Sequence, residues 1–398
     1  MKHAIDRRGI IAGSLALGAS SLAWPRMAFA RTAGSRNLLF VLLRGAADGL
    51  AMLAPVGDPG FAALRGRTLP DYAAARRADG FFAIHPALDA VGAAYERGEA
   101  LFVHAAATAY RERSHFDGQN LIETGGVQPY GLRDGWLNRL VALNAEAHGT
   151  TPPRALAIAP TMPLALRGKA PASSYAPSAL PEASANFMDR VAQLYAGDAQ
   201  LGALWAQAME TRAMAEGSDL TNLRNAEAAG ELVASLMRYE DGARIAMIEL
   251  GGWDSHANQP GQFARAARQL DTLLGAYAAG MGSAWERSLV LVATEFGRTV
   301  RFNGTNGTDH GTAGAAIALG GAVAGRRVVA DWPGLGEGAL YQGRDLAPTL
   351  TLESLLAGAV AEHFALDPKA AMARLFPGRS AAPLSGIVRG LGSTRSTR

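Results

Sequence analysis

Leu289–Ala293 is a run of five apolar residues, followed at once by Thr294-Glu295-Phe296-Gly297-Arg298. A loop rich in Gly and Asn then leads to Asp309-His310-Gly311. A short apolar run without alternation, bounded by charged residues and glycine, reads as a strand covered on both faces, as in parallel sheets flanked by helices. Ligands sit at the carboxyl edge of such sheets. Upstream, Arg244–Leu250 repeats the pattern and ends in Gly251-Gly252-Trp253-Asp254-Ser255-His256. Two covered strands that each deliver a carboxylate and an imidazole to one edge constrain the chain to an α/β fold built around a metal site.

At 398 residues, the chain is long enough for one large α/β domain or two ordinary ones. Hydrophobic content of 49% with 18% charged residues describes a folded body rather than a disordered one. The first thirty residues stand apart. Arg7-Arg8 precedes an apolar stretch to about Leu22, and Ala28-Phe29-Ala30 supplies a small-residue cleavage signal. This pattern reads as a twin-arginine export signal whose apolar core is too short to span a bilayer. The expected location is periplasmic or secreted, with the twin-arginine translocase as partner during export and no stable membrane insertion. The formal net charge of +3 belongs to this segment, where Lys2, Arg7, Arg8 and Arg26 stand against Asp6. The remainder is neutral, which removes any charge argument for nucleic-acid binding. With 0 Cys, the chain has neither a disulfide framework nor a thiol nucleophile, so metal ligands must come from His, Asp, Glu and hydroxyl oxygen.

Along the chain, Asn37–Leu43 is a strong apolar run that leads into Arg44-Gly45-Ala46-Ala47-Asp48-Gly49. Asp48 is then either a metal ligand at a strand end or the cap of a following helix. Ala100–Ala106 is the next strand, and a helix is expected from about Ser114 to Glu123. At a helix N-terminus Ser114 serves as a cap, or as a nucleophile where free N–H groups and the helix dipole favour negative charge. His115 is the alternative reacting residue, and Arg111 and Arg113 add guanidinium groups suited to phosphate or sulfate oxygens. Asp134–His148 reads as a helix, Arg154–Ala159 as a strand and Pro160–Pro181 as a meandering lid or loop. Helical periodicity from Ser184 to Arg238 marks an insertion, over 184–240, in one domain spanning 31–377. Pro260–Trp285 is an amphipathic helix, so the two ligand-bearing strands form one right-handed βαβ unit. Ala315–Leu319 and Arg326–Ala330 read as a strand and a hairpin return. His363, at the end of the helix Leu350–Phe364, reads as a partner of the helix dipole. The tail 378–398 reads as disordered.

The polar groups just past strand ends are Asp48, Ser114, Asp254, His256, Glu295, Asp309 and His310. Carboxylate and imidazole without sulfur suit zinc, manganese or magnesium, as one or two divalent ions. Such ions activate a hydroxyl and clamp the oxygens of an in-line displacement, with Arg298 or Arg111 steadying the equatorial oxygens. A serine triad is the competing reading, but the chain has no Gly-x-Ser-x-Gly elbow.

The ordered set Leu43-Arg44-Gly45-Ala46-Ala47-Asp48-Gly49, Arg113-Ser114-His115-Phe116, Gly251–His256, Thr294–Arg298 and Thr308–Gly311 resembles the alkaline phosphatase and sulfatase superfamily. More closely, the chain resembles an exported bacterial family of unknown function assigned to that superfamily. The resemblance implies a three-layer sandwich with a mostly parallel central sheet. It also implies Asp48 as a first-strand metal ligand, Ser114 as nucleophile, and His256, Asp254 and His310 at the first metal. Zinc or manganese is the implied metal, and a small anionic ester the implied substrate. Glu295-Phe296 departs from the superfamily's Asp-His or Asp-Asn. That departure favours the alternative of a non-catalytic envelope or binding protein with a degenerate metal site.

Overall fold

A computed structural model describes residues 36–176, 185–198 and 225–390, with a few positions between 201 and 209. The expected export signal lies outside the described residues. The strands are β1 (Asn37–Leu43), β2 (Leu53–Ala54), β3 (Ala83–Ile84), β4 (Ala100–Ala107), β5 (Ala155–Ile158), β6 (Ser173–Tyr175), β7 (Ile245–Leu250), β8 (Ser288–Thr294), β9 (Gly314–Leu319), β10 (Arg327–Val329) and β11 (Leu350–Thr351). The longer helices are α1 (Asp89–Glu96), α2 (His115–Thr124), α3 (Trp136–His148), α4 (Ala185–Tyr195), α5 (Ala226–Met237), α6 (Gln259–Met281), α7 (Leu352–Phe364) and α8 (Pro368–Leu375).

Strand β1 is the axis. Every residue in it is buried, as an unbroken apolar run requires when both faces are covered. Alternate side chains point to opposite faces. Leu39, Val41 and Leu43 join a core with residues of α1, α5 and α6. Leu38, Phe40 and Leu42 join a second core with residues of α3, α7 and α8, where Phe40 meets Trp136 edge-on at 5.2 Å. The result is the expected three-layer α/β arrangement. The main sheet runs β10-β4-β9-β8-β1-β7-β5-β6, with β11 beside the end of β4, while β2 and β3 pair separately.

The strands β7 and β8, expected to carry ligands at their ends, flank β1 and run parallel to it, joined by α6. The buried stripe of α6 includes Phe263, Ala267, Leu270, Leu274 and Tyr277, the residues its 3.6-residue period predicts. Within the main sheet, β9 alone runs against its neighbours, antiparallel to both β4 and β8. The segment 295–313 therefore leaves the sheet at the carboxyl edge and re-enters at that same edge, holding Glu295, Asp309 and His310 there.

Three expectations are corrected. Arg327–Val329 forms no hairpin with β9, because β4 lies between them and pairs with β10 in parallel. Within Pro160–Pro181, Ser173–Tyr175 is an edge strand paired with β5. The tail packs as far as residue 390: Ile387 and Val388 are buried, and the Leu384 amide donates to the Ser354 carbonyl at 2.9 Å. Helices α4 and α5 match the helical expectation for 184–238 at its two ends; most of the stretch between lies outside the described residues.

Candidate metal centre

Four strand ends supply the site. After β7, the buried Trp253 anchors a turn that presents Asp254 and His256. After β4, the loop 108–114 leads to His115, the first residue of α2. Glu295 follows β8 directly, and His310 precedes β9. The chain after β1 passes close beneath. Gly45 has φ +117, and a Cβ there would lie 2.6 Å from the Asp254 amide nitrogen, so no other residue fits without moving that loop.

His115, Asp254 and His310 form a group whose ligand atoms lie within 4.8 Å of one another. His115 Nε2 is 3.4 Å from Asp254 Oδ2, and His310 Nε2 is 3.3 Å from Asp254 Oδ1. His256 Nε2 stands 3.0 Å from both Asp254 Oδ1 and His310 Nε2. The opposite nitrogen of each ring is committed elsewhere. His115 Nδ1 meets Glu295 Oε1 at 2.8 Å, His310 Nδ1 meets the Arg113 carbonyl at 2.9 Å, and His256 Nδ1 meets Asp309 Oδ1 at 3.3 Å. A carbonyl only accepts, so His310 carries its proton on Nδ1 and turns the Nε2 lone pair inward. Ring nitrogens and a carboxylate packed this closely need either a shared proton, as between His256 and His310 Nε2, or a cation between them. Ligands held tetrahedrally about 2.0–2.1 Å from zinc stand roughly 3.3–3.4 Å apart, the separation of His115 Nε2 and of His310 Nε2 from Asp254 here. The donor set therefore fits a compact divalent ion.

Glu295 is not free to bind metal itself. It is fully buried and accepts from the Gly45 amide at 2.9 Å, Gln119 Nε2 at 3.0 Å, His115 Nδ1 and the Thr294 hydroxyl at 2.8 Å. Burial pushes its carboxyl up, but these donors outweigh it and hold the group below the ordinary glutamate value. The same hydrogen bond, working against burial, raises the pKa of His115. Glu295 thus orients His115, as carboxylates commonly orient metal-bound imidazoles. Asp309 bears the same relation to His256, and Asn303 Nδ2 holds it at 3.2 Å. His310 is shifted down, first by burial, which favours its neutral form.

Arg298 is buried, and its guanidinium donates to Asp254 Oδ1 at 2.8 Å, to the Thr308 hydroxyl at 3.0 Å and to the Thr308 carbonyl. It therefore positions Asp254 instead of facing a substrate. Burial raises the pKa of Asp254, but Arg298 and the nearby imidazoles bring it below the ordinary aspartate value. Arg111 turns back to the carbonyls of Thr108 and Tyr110. Asp48 also departs from the ligand expectation. Its carboxylate caps the turn Gly49–Met52 through the Leu50 and Ala51 amides, pairs with buried Arg65 at 2.8 Å and accepts from Gln259. His363 is buried, with Nε2 3.0 Å from the Asn37 carbonyl and a pKa pushed down to about 3 by burial. It is neutral, and hence no cationic partner of the helix dipole.

Ser114 occupies the cap position of α2, yet its side chain makes no capping hydrogen bond. Its amide donates to the Tyr110 hydroxyl at 3.2 Å. The preceding Arg113 has φ +60, a left-handed conformation that aims its carbonyl at His310; such strain in a non-glycine residue clusters at functional sites. Phe296 does not fill a ligand position. It is buried under the imidazoles, 5.1 Å from His115 and 5.4 Å from His310 between ring centroids. The imidazole of His115 enters the cluster from α2. Sequence reasoning considered His115 only as a reacting residue and missed Gln119; their four-residue spacing on one helix face was the available signal.

No protein of curated function matches the chain at significant similarity. Among solved structures it is similar to an alkaline phosphatase from the Antarctic bacterium TAB5, at 11% identity over 71% of this chain and 90% of that one, with a TM-score of 0.36. It is also similar to murine ectonucleotide pyrophosphatase/phosphodiesterase 5 in complex with AMP, at 12% identity over 66% and 57%, TM-score 0.31. A third is the phosphonate monoester hydrolase of Agrobacterium radiobacter, at 13% identity over 74% and 70%, TM-score 0.32. At such TM-scores the likeness is loose, and no role is transferred from these proteins. One family model, described as a protein of unknown function (DUF1501), matches residues 35–376, and the chain belongs to that family.

Proposed function

We propose that the protein is a metal-dependent hydrolase of phosphate or sulfate esters, with His115, Asp254 and His310 holding one zinc or manganese ion and Ser114 as nucleophile. The observation that carries this reading is the convergence of the His115 and His310 Nε2 atoms on Asp254, each ring fixed through its other nitrogen. Three protein ligands leave a fourth position open, as catalytic sites require. A divalent ion there would supply Lewis acidity and lower the pKa of a coordinated hydroxyl. Ser114 Oγ, uncommitted as a cap and adjacent to His115, would give up its proton and attack phosphorus or sulfur, displacing the alcohol, which leaves with a proton; water would then cleave the seryl ester, freeing phosphate or sulfate and restoring the hydroxyl. Arg298 and Glu295 keep Asp254 and His115 in place throughout. The protein would act in the periplasm after twin-arginine export, and replacing Arg7 and Arg8 with Lys should retain it in the cytoplasm.

The test is elemental analysis of chelator-free mature protein, followed by turnover of aryl phosphate and sulfate esters. About one equivalent of metal is expected, reduced in His310→Ala. Ser114→Ala should retain metal and thermal stability but lose turnover by roughly three orders of magnitude or more. Absence of metal after loading with zinc and manganese would overturn the reading.

One observation favours a second reading, a non-catalytic binding protein. His256 Nε2 is near enough to Asp254 and His310 to fill the fourth position and close the site. In that case His256→Ala would cost metal affinity, and no ester would be turned over by the native protein.

A further inference from the structure

Asp345 is fully buried in the segment between β10 and β11, where it belongs to no strand and caps no helix. Its backbone is fixed from two directions. It exchanges hydrogen bonds with Tyr341 at 2.9 and 3.0 Å, and it bridges to Thr299, whose amide donates to the Asp309 carbonyl at 2.9 Å. The carboxylate so placed takes two arginines. Arg113 Nε donates to Oδ2 at 2.9 Å with Nη2 2.8 Å from the same atom, and Arg344 Nε lies 3.0 Å from Oδ1. Two guanidinium groups offset the loss of water around the buried carboxylate.

Both arginines also hold His310, one at its ring and one at its backbone. The Arg113 carbonyl meets Nδ1 at 2.9 Å, and Arg344 Nη2 donates to the His310 carbonyl at 2.8 Å. Asp345 thus stands behind both groups that grip this histidine. The Arg113 carbonyl points at His310 from a left-handed backbone, φ +60, which costs free energy in any residue with a Cβ and persists only where contacts maintain it. Those contacts come from its own guanidinium, which is held by Asp345 and donates to Gln342 Oε1 at 2.6 Å. The hydrogen bond made by one ring nitrogen decides which tautomer a histidine takes. An acceptor held at Nδ1 puts the proton there and leaves the Nε2 lone pair free.

We propose that Asp345 is a positioning residue: through the Arg113 side chain it pins the left-handed backbone whose carbonyl fixes His310 as the Nδ1–H tautomer. The tautomer follows from these hydrogen bonds alone. Only its use, a lone pair offered to a divalent ion, rests on the metal-centre reading.

The test compares Arg113→Ala with Arg113→Gly. Both lose the guanidinium that Asp345 holds, but glycine adopts φ +60 without penalty. Arg344 remains beside Asp345 in both, so both should fold. Heteronuclear NMR of chelator-treated protein, isotopically labelled at histidine, reads the tautomer with no metal present; the His310 signals are assigned by their absence in His310→Gln. Native His310 and Arg113→Gly should carry the proton on Nδ1, and Arg113→Ala should show a mixture of tautomers. Competition with a chromophoric chelator should find zinc bound about ten-fold more weakly in Arg113→Ala and within about three-fold of native in Arg113→Gly. Asp345→Asn, which drops the charge but keeps an acceptor oxygen, should fall between native and Arg113→Ala in both readouts. A native His310 protonated on Nε2 would overturn the assignment, as would native behaviour in both Arg113→Ala and Asp345→Asn. Glycine as damaging as alanine would also overturn it, since loss of the ion pair alone would then account for both. A tautomer that shifts as expected in a protein that binds no zinc would uphold the role of Asp345 and count against the metal-centre reading alone.

Discussion

Glu295 and Asp48 are both buried carboxylates just past strand ends, and their hydrogen bonds separate their roles. Glu295 holds His115 by Nδ1, so Glu295→Gln should keep the local shape yet weaken metal binding by about 10–100-fold, read by competition with a chromophoric chelator. Asp48 instead neutralises Arg65, whose side chain also donates to the Thr299 and Val300 carbonyls. Asp48→Ala should therefore leave metal content unchanged and lower unfolding stability by about 3–5 kcal/mol in urea titration, because a buried guanidinium is left unpaired. Loss of metal in that variant with stability intact would restore Asp48 as a ligand. The sequence placed both residues at the right edge. It did not reveal which donors surround each: Arg65 and Gln259 come from distant segments without a spacing signal, and Gln119 was marked only by its four-residue spacing from His115.

At the scale of elements, strands and crossovers were legible wherever apolar runs were long. β1, β4, β7, β8 and α6 follow from runs and periodicity alone. The direction of β9 was not legible, since a covered strand has the same composition whichever way it runs. The hairpin expectation for Arg326–Ala330 failed for a related reason: β4 is inserted between partners adjacent in sequence. The close approach of the loop after β1 to the loop after β7 makes a further expectation. Gly45→Ala adds a methyl group against the Asp254 backbone at φ +117 and should displace Asp254. Bound metal should fall at least ten-fold while the far-ultraviolet circular dichroism is retained. An unchanged metal content would show that the loop can yield.

For the whole molecule, acid is the revealing condition. His104 and His363 are buried, and burial pushes their pKa values from the ordinary 6.5 down to about 4 and about 3. In the unfolded chain both take a proton near pH 6.5, and in the folded chain neither does until well below pH 5. The unfolded state then binds more protons, so stability is complete above pH 6.5 and is lost as pH falls from there toward 4. Chelator-treated protein, in which metal release plays no part, should lose roughly 2 kcal/mol per histidine between pH 7.5 and 5. A flat urea midpoint across that interval would show these rings to be hydrated. The reversal at β9 has a consequence of another kind. The chain from 295 to 313 departs from and returns to one rim, so its length is not coupled to any crossover or to the register of the sheet. A change of donor within that segment would therefore alter the site while leaving the order and pairing of the strands beneath it as they are.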